Sequence, residues 1–183
     1  HNVACIVAEP IQGEGGFIVP AGGFLPGVQE FARRHGLVFV ADEIQSGLGR
    51  TGRTWACQHW DVVPDLMTAG KGIGGGLAVS AVLGRAAFMS HWTPGTHTST
   101  FMANAVHLAA GSAAIRVLAD EHLAERSARL GASMLERLQT APDQQLVDRE
   151  HVGVRLHASW SALTPCGPCS GSSPPSIGAS GTA

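Results

Sequence analysis

Two short, uninterrupted apolar runs flank one amphipathic stretch, and this arrangement most constrains the fold. Residues 3–8 and 37–41 are apolar throughout, which is typical of strands buried on both faces of a sheet. Between the two runs, apolar side chains recur at helical spacing over residues 24–32, and Gly36 follows as a helix stop. A strand, a helix and a strand with short connections form a βαβ unit, so the sequence predicts a parallel sheet.

Further strands and helices follow along the chain. Residues 66–69 and 77–83 are two more apolar runs, and helical spacing predicts helices over about residues 104–118 and 121–139. We therefore expect an α/β fold up to residue 139, with a mostly parallel sheet and helices on both faces. Beyond residue 164 the chain is almost entirely Pro, Gly, Ser, Ala and Thr. This composition predicts that the chain ends in a disordered tail.

Composition argues against several classes of partner. The chain has 183 residues and a formal net charge of −2, without the clustered basic face typical of nucleic-acid binding. No apolar run approaches the roughly 18 residues that span a bilayer. Cys5 and Cys57 are typical of reduced thiols, so we expect a cytoplasmic protein without nucleic-acid or membrane partners. The chain begins without Met and close to an apolar run, as expected for the middle of a longer gene product.

Ionisable residues follow three of the predicted strands. Glu9, Asp42 and Lys71 each stand where an apolar run ends, beside glycine-rich segments. In open parallel α/β sheets, ligands bind in the crevice at the carboxyl ends of the strands. A single charged residue at a strand end marks only the exit of the chain from the core. Three of them beside glycine-rich turns indicate a ligand site at this edge of the sheet.

Lys71 is the only lysine in the chain, and it stands between Gly70 and Gly72. We expect a buried, glycine-framed strand end to strip part of the water from its amine, which makes the amine a nucleophile for an aldehyde cofactor. Asp42 precedes it by one structural unit. Pyridoxal phosphate needs an anionic partner at its pyridine nitrogen, and Asp42 suits this role. The pair therefore favours a Schiff-base enzyme with Lys71 as the imine-forming residue.

Two other motifs carry less weight. Residues 47–52 fit the pattern G-x-G-x-x-G, but they do not open a helix directly after a strand, as dinucleotide binding requires. Cys166 and Cys169 form a C-x-x-C pair inside the Pro/Gly/Ser-rich tail, where a redox motif would lack its strand and helix. The nine histidines show no metal-ligand spacing, so we expect no metal site.

Three segments carry a resemblance to one family. They are residues 9–16, 42–52 and 68–72, which read EPIQGEGG, DEIQSGLGRTG and TAGKG. In order, spacing and residue identity they resemble the class III aminotransferases, also called ω-aminotransferases. These are pyridoxal-phosphate enzymes of fold type I. The resemblance covers about residues 3–139 and implies the central and C-terminal part of the large, cofactor-binding domain over residues 1–139. Residues 140–183 then comprise a degenerate start of the small domain and the low-complexity tail, and we expect a lost reading frame near residue 150.

The resemblance implies roles for residues around the cofactor ring. Lys71 would form the Schiff base and move a proton between substrate and cofactor carbons. Asp42 would pair with the pyridine nitrogen, and Gln45 would lie near the ring hydroxyl. Glu9 would support the network around Gln45. Glu14 resembles the family's switch glutamate, which pairs with a substrate-binding arginine of the small domain.

The resemblance also implies a partner subunit and a reaction. Ser99 and Thr100 resemble the segment that reaches the cofactor phosphate of the partner, which implies a homodimer with shared sites. The implied reaction moves an amino group from an amine or ω-amino acid to a 2-oxo acid. An aminomutase or decarboxylase of the same fold would use Lys71 and Asp42 equally well. Because the family's chains are more than twice as long, a truncated, inactive remnant is a further alternative.

Overall fold

A four-stranded sheet with helices packed against it forms the fold, and the computed structural model describes residues 3–140. The strands lie in the order of the sequence, with the first three parallel and the fourth antiparallel to the third. They are β1 (Cys5–Ala8), β2 (Val38–Asp42), β3 (Leu66–Ala69) and β4 (Ala81–Gly84). The helices are α1 (Phe24–His35), α2 (Ala86–Met89), α3 (Ala105–Asp120) and α4 (Leu123–Gln139). Two 3-10 turns, Ala56–Trp60 and Lys71–Gly74, complete the elements. The predicted α/β fold with a mostly parallel sheet is confirmed.

The core lies between α1 and one face of the sheet. Leu25 and Ala32 of α1 are buried with Phe39 of β2, and Met67 of β3 packs against the same cluster. Gly36 ends α1 in the left-handed conformation, with a φ of 63°, as the sequence predicts. Helical spacing in α1 and alternation in β2 thus bring their apolar side chains to one interface.

The pairing of β2 with β3 fixes which side chains meet on the opposite face. Ala41 lies beside Met67, and Asp42 lies beside Thr68. Because side chains alternate between the faces of a strand, Asp42 and Thr68 point away from the face that carries Phe39. The carboxyl ends of β2 and β3 therefore present both residues at the same edge of the sheet.

Some strand predictions are corrected. The expectation that residues 3–8 form a strand buried on both faces is wrong for β1, since Val7 is 60% exposed. Ile6 and Ala8 pack against the core cluster. Because they alternate with Cys5 and Val7 along the strand, the latter two lie on the uncovered face. The fourth strand begins at Ala81 rather than at residue 77. The predicted tail lies outside the described residues.

Candidate active site

Lys71 follows β3 and begins a 3-10 turn. Its backbone is left-handed, with a φ of 46°, whereas Gly70 before it is extended, with a φ of −161°. A left-handed conformation costs a residue other than glycine about 1–3 kcal/mol, which surrounding structure must offset. The need for glycine at position 70 comes from packing and not from backbone conformation, since an added Cβ would lie 3.2 Å from the Ile44 side chain. The glycine frame thus permits close packing, while Lys71 itself carries the strained conformation.

The side chain of Lys71 extends to the neighbouring loop. Its Nζ donates a hydrogen bond to Oε1 of Gln45. The residue is exposed, so the expectation of a buried amine is wrong. Lys71 lies beyond the last residue of β3, outside the sheet, and therefore escapes the burial that Ala69 and Gly70 undergo.

Gln45 lies against the backbone of the loop that follows β1. A Cβ added to Gly13 would lie 2.8 Å from both Cδ and Nε2 of Gln45, so a side chain at position 13 would force the amide of Gln45 to move. The N–H of Gly13 in turn donates to Oε2 of Glu9 at 2.7 Å. Glu9, Gly13, Gln45 and Lys71 thus form a continuous chain of contacts across the ends of β1, β2 and β3. The predicted Glu9 lies in this chain through the backbone of Gly13.

Asp42 is held at the end of β2 by two donors to one oxygen. Its Oδ1 accepts from Oγ1 of Thr68 at 2.9 Å and from the backbone N–H of Ile44 at 3.0 Å. Within residues 3–140, the other carboxylate oxygen of Asp42, Oδ2, accepts no hydrogen bond. The sequence analysis missed Thr68 because its partner is set by strand register, which the spacing between Asp42 and Thr68 does not reveal.

Glu43 is a second residue that the sequence analysis missed. It is 1% exposed, and its carboxylate accepts from the N–H of Cys57 at 2.8 Å and from Oγ of Ser46 at 2.7 Å. Its backbone N–H donates to the carbonyl of Thr68 at 3.0 Å. Burial, together with the nearby Glu43 carboxylate, raises the pKa of the Cys57 thiol to about 12. Glu43 therefore ties the loop after β2 to Cys57 and to β3. In the sequence, the only sign of this role was its position directly after Asp42.

The remaining predicted residues lie apart from this cluster. Glu14 is exposed in the turn after Gly13, and no hydrogen bond or ion pair involves it within residues 3–140. Ser99 and Thr100 are also exposed. Ser99 lines a cavity of about 620 Å³ that reaches Thr68, and His97 lines the same cavity. The structure thus brings Glu9, Asp42, Gln45 and Lys71 to one edge without bringing Glu14 or Thr100 to them.

Residues 47–52 pack the site against α4. Gly52 has a φ of 90°, and a Cβ added there would lie 2.9 Å from Cβ of Ala128. The carbonyl of Arg50 accepts from Oγ of Ser127 at 3.1 Å. Close packing between loop and helix therefore accounts for Gly52, and the segment opens no helix, as dinucleotide binding would require.

Two other features are absent from the described residues. Over residues 3–140, no group of three or more His, Cys, Asp or Glu side chains could hold a metal ion. In the same range, no helix has both the length and the apolar character needed to cross a membrane.

Comparison with known proteins identifies the family. The sequence profile described as Aminotransferase class-III matches residues 1–152. The chain belongs to the class III aminotransferases. The resemblance stated from residues 9–16, 42–52 and 68–72 is thereby confirmed.

Individual relatives of this class III aminotransferase chain support the assignment. Ornithine aminotransferase 1 of Staphylococcus aureus (strain Mu50) is 49% identical over 138 residues, which are 75% of this chain and 35% of that protein. A probable 4-aminobutyrate aminotransferase of Bacillus subtilis (strain 168) is 46% identical over 131 residues, 72% of this chain and 30% of the relative. The chain therefore spans about a third of the length of these relatives.

A solved structure gives the same result for the fold. The ornithine aminotransferase from Toxoplasma gondii, crystallised in the presence of oxidised glutathione, superposes with a TM-score of 0.75 and 42% sequence identity. The match covers 83% of this chain and 37% of that one, whose active site is described with partial occupancy of PLP. Most of this class III chain thus shares its fold with somewhat more than a third of that ornithine aminotransferase.

The residues of this class III chain fit the ring of pyridoxal 5′-phosphate, the cofactor of its relatives. Asp42 offers a carboxylate oxygen, Gln45 offers an amide, and Lys71 offers a primary amine, all at one sheet edge. These are the groups that a pyridinium N–H, a ring hydroxyl and an aldehyde require. The close approach of Gly13 to Gln45 also limits where the Gln45 amide can lie.

Proposed function

We propose that this chain supplies the ring-binding part of the active site of a pyridoxal-phosphate-dependent aminotransferase. The single observation that carries the proposal is the contact between Nζ of Lys71 and Gln45, beside Asp42 at the ends of neighbouring parallel strands. Pyridoxal phosphate, when bound, supplies an aldehyde that condenses with amines and a protonated ring that accepts an electron pair. The chain's own residues would orient the cofactor and keep its ring nitrogen protonated.

Each residue has a proposed part in that arrangement. Asp42 would hold the ring nitrogen in its protonated form through its carboxylate. Gln45 would donate to the ring hydroxyl and hold the amine of Lys71 in place. Lys71 would anchor the cofactor and, after displacement by a substrate amine, carry a proton at Nζ. Glu9 would keep the side chain of Gln45 in position by accepting a hydrogen bond from the N–H of Gly13, which lies against it.

We propose an ω-amino acid as the amino donor and a 2-oxo acid as the acceptor. The relatives at 49% and 46% identity are described as ornithine and 4-aminobutyrate aminotransferases, whose named substrates both carry a terminal amine. Glu14 would meet a substrate-binding arginine of the small domain. An aminomutase or decarboxylase of the same fold remains the second candidate, because Asp42 and Lys71 serve those reactions too.

Reductive trapping tests the proposed role of Lys71. The purified chain is mixed with pyridoxal phosphate, reduced with borohydride and mapped by mass spectrometry. Because Lys71 is the only lysine, the terminal amine is the one competing primary amine in the chain. We expect the phosphopyridoxyl group at Lys71 in at least tenfold excess over the terminal amine, and we expect it to disappear in Lys71→Ala. Comparable labelling of both amines would contradict a built site and would favour an inactive remnant.

Product analysis separates transamination from its alternatives. With 4-aminobutyrate or ornithine and 2-oxoglutarate, we expect formation of glutamate that requires added cofactor and Lys71. Release of carbon dioxide without glutamate would indicate a decarboxylase, and an isomeric amino acid would indicate an aminomutase. Lys71→Ala serves as the control for reaction of the free cofactor with amines.

We also propose a homodimer in a cytoplasmic protein, with Ser99 and Thr100 at the cofactor phosphate of the partner subunit. Both residues are exposed on the loop before α3, which suits contact with another chain. Sedimentation measurements with and without pyridoxal phosphate test the dimer. Failure to dimerise at micromolar protein concentrations would contradict shared sites.

The division into a large-domain piece over residues 1–139 and a divergent segment over 140–183 stays a prediction. Sequencing of the corresponding DNA tests the expected loss of reading frame near residue 150. A family-like pattern in another frame would support it, whereas a long in-frame continuation of the family pattern would contradict it.

A further inference from the structure

We infer that Thr68 is a positioning residue that fixes the orientation of Asp42 and so directs its second oxygen, Oδ2, to the ring nitrogen of the cofactor. The inference rests on the proposed function and adds a residue to it. It starts from one hydrogen bond, in which Oγ1 of Thr68 donates to Oδ1 of Asp42 at 2.9 Å.

The two donors to Asp42 come from different elements. The N–H of Ile44 belongs to the loop after β2 and approaches Oδ1 at 3.0 Å, while Thr68 belongs to β3. A carboxylate with one neighbour can rotate about its last bond, because that torsion is broad. Two donors converging on the same oxygen restrict the rotation. They also leave Oδ2 as the oxygen without a hydrogen bond over residues 3–140.

The sheet register makes this pair rigid. Asp42 and Thr68 are direct partners in the parallel pairing of β2 with β3. The N–H of Glu43 donates to the carbonyl of Thr68 at 3.0 Å, which extends the ladder past the acid. The backbone that carries the Thr68 hydroxyl is therefore fixed by strand pairing and by the hydrogen bond from Glu43. A threonine in this setting orients the carboxylate without touching the cofactor.

A ring-nitrogen analogue separates positioning from general support of the fold. In 1-deazapyridoxal phosphate a C–H replaces the ring nitrogen, so the analogue cannot donate a hydrogen bond to Asp42. If Thr68 acts through Asp42, Thr68→Val weakens binding of pyridoxal phosphate about tenfold, as expected for loss of a charge-assisted hydrogen bond. Binding of the deaza analogue then changes less than twofold. Absorbance titration of the full 183-residue chain measures both dissociation constants.

Four variants provide the controls. Thr68→Ser keeps the hydroxyl and should restore tight binding of pyridoxal phosphate. Thr51→Val removes a hydroxyl that contacts His59 instead, and should leave both constants unchanged. Asp42→Asn combined with Thr68→Val should bind no more weakly than Asp42→Asn alone, because Thr68 acts through Asp42.

Amide hydrogen exchange tests the orientation of Asp42 without any cofactor. The N–H of Ile44 shares Oδ1 with Thr68, so freeing the carboxylate in Thr68→Val should speed exchange at Ile44 about tenfold. Thr68→Ser should exchange at the original rate. An unchanged rate in Thr68→Val would overturn the inference, as would equal weakening of the cofactor and its deaza analogue. Failure of the unaltered chain to bind pyridoxal phosphate would count against the proposed function, and the exchange rates would still decide the role of Thr68.

Discussion

Cys57 and Glu43 form the most deeply buried polar contact beside the proposed site. Cys57 is 2% exposed and Glu43 is 1% exposed. An acid buried this deeply is tolerated because it accepts hydrogen bonds from Cys57 and Ser46. The contact joins the loop after β2 to the 3-10 turn Ala56–Trp60. At the scale of single residues, the orientation of Asp42 and Gln45 thus depends on Glu43, which has no proposed contact with the cofactor.

The Cys57 thiol predicts a loss of stability at alkaline pH. Its pKa is raised from 9.0 to about 12 in the folded chain, so the unfolded thiol ionises first as pH rises. The stabilising contribution is present below pH 9 and is lost progressively toward pH 12. The difference in free energy of unfolding between the unaltered chain and Cys57→Ala should therefore fall by up to about 1.4 kcal/mol per pH unit above pH 9. Urea unfolding from pH 8 to 10.5 measures it.

Cys5 provides the matched control for this experiment, because it is an exposed cysteine on the uncovered face of β1. Cys5→Ala should retain the alkaline loss of stability, because Cys57 is intact in this variant. A difference between the unaltered chain and Cys57→Ala that does not vary with pH would contradict the raised pKa.

At the scale of elements, much of the architecture could be predicted from periodicity and caps. The helix expected over residues 104–118 is α3, Ala105–Asp120, and Asn104 caps it by accepting from the N–H groups of Val106 and His107. The third strand, Leu66–Ala69, has its predicted bounds. These features depend on neighbouring residues, which is why sequence reasoning reached them.

The contacts between elements could not be predicted in the same way. The partner of Asp42 is Thr68, 26 residues away, and it follows from strand register. The exposure of Lys71 depends on how the chain turns after β3. The strand-end pattern therefore predicted that Glu9, Asp42 and Lys71 meet at one edge, and the family resemblance added Gln45. Thr68 and Glu43, which hydrogen-bond to this edge, were missed.

The packing of Gly52 on α4 predicts a specific loss of stability. Gly52→Ala places a methyl group 2.9 Å from Cβ of Ala128 at a φ of 90°, which alanine rarely adopts. We expect the free energy of unfolding to fall by about 1–3 kcal/mol, as for other strained backbone positions. Thermal unfolding followed by circular dichroism measures the change.

Gly22→Ala is the matched control, because no atom lies within 4 Å of an added Cβ there. It should change the free energy of unfolding by less than about 0.5 kcal/mol, as exposed substitutions usually do. Adding Ala128→Gly to Gly52→Ala should recover the part of the loss that comes from the clash. Equal stability of Gly52→Ala and Gly22→Ala would show that the loop is not held against α4.

At the scale of the whole molecule, β1 is the first strand of the described sheet and carries exposed apolar side chains. Val7 is 60% exposed, and Val3 just before the strand is 61% exposed. An apolar edge strand with free backbone groups is a template for pairing with another chain. The described part of the chain therefore combines a core around α1 with an exposed apolar edge strand.

This surface predicts that charge on β1 slows aggregation. Val7→Lys should lengthen the lag before light scattering rises at 37 °C by severalfold, because a lysine on an edge strand opposes pairing between strands. Val63→Lys is the control, since Val63 is 64% exposed but lies outside the strands. Equal lag times for the two variants would show that aggregation does not begin at β1.

The hydrogen bond between Thr68 and Asp42 has a consequence for folding as well. A slip of one residue between β2 and β3 would turn one of the two side chains to the opposite face of the sheet, and the bond could not form. The arrangement that orients Asp42 is therefore available only to chains whose strands have paired correctly. Misfolded copies would not present the carboxylate in this orientation, so an ordered Asp42 would serve as a sign of native pairing.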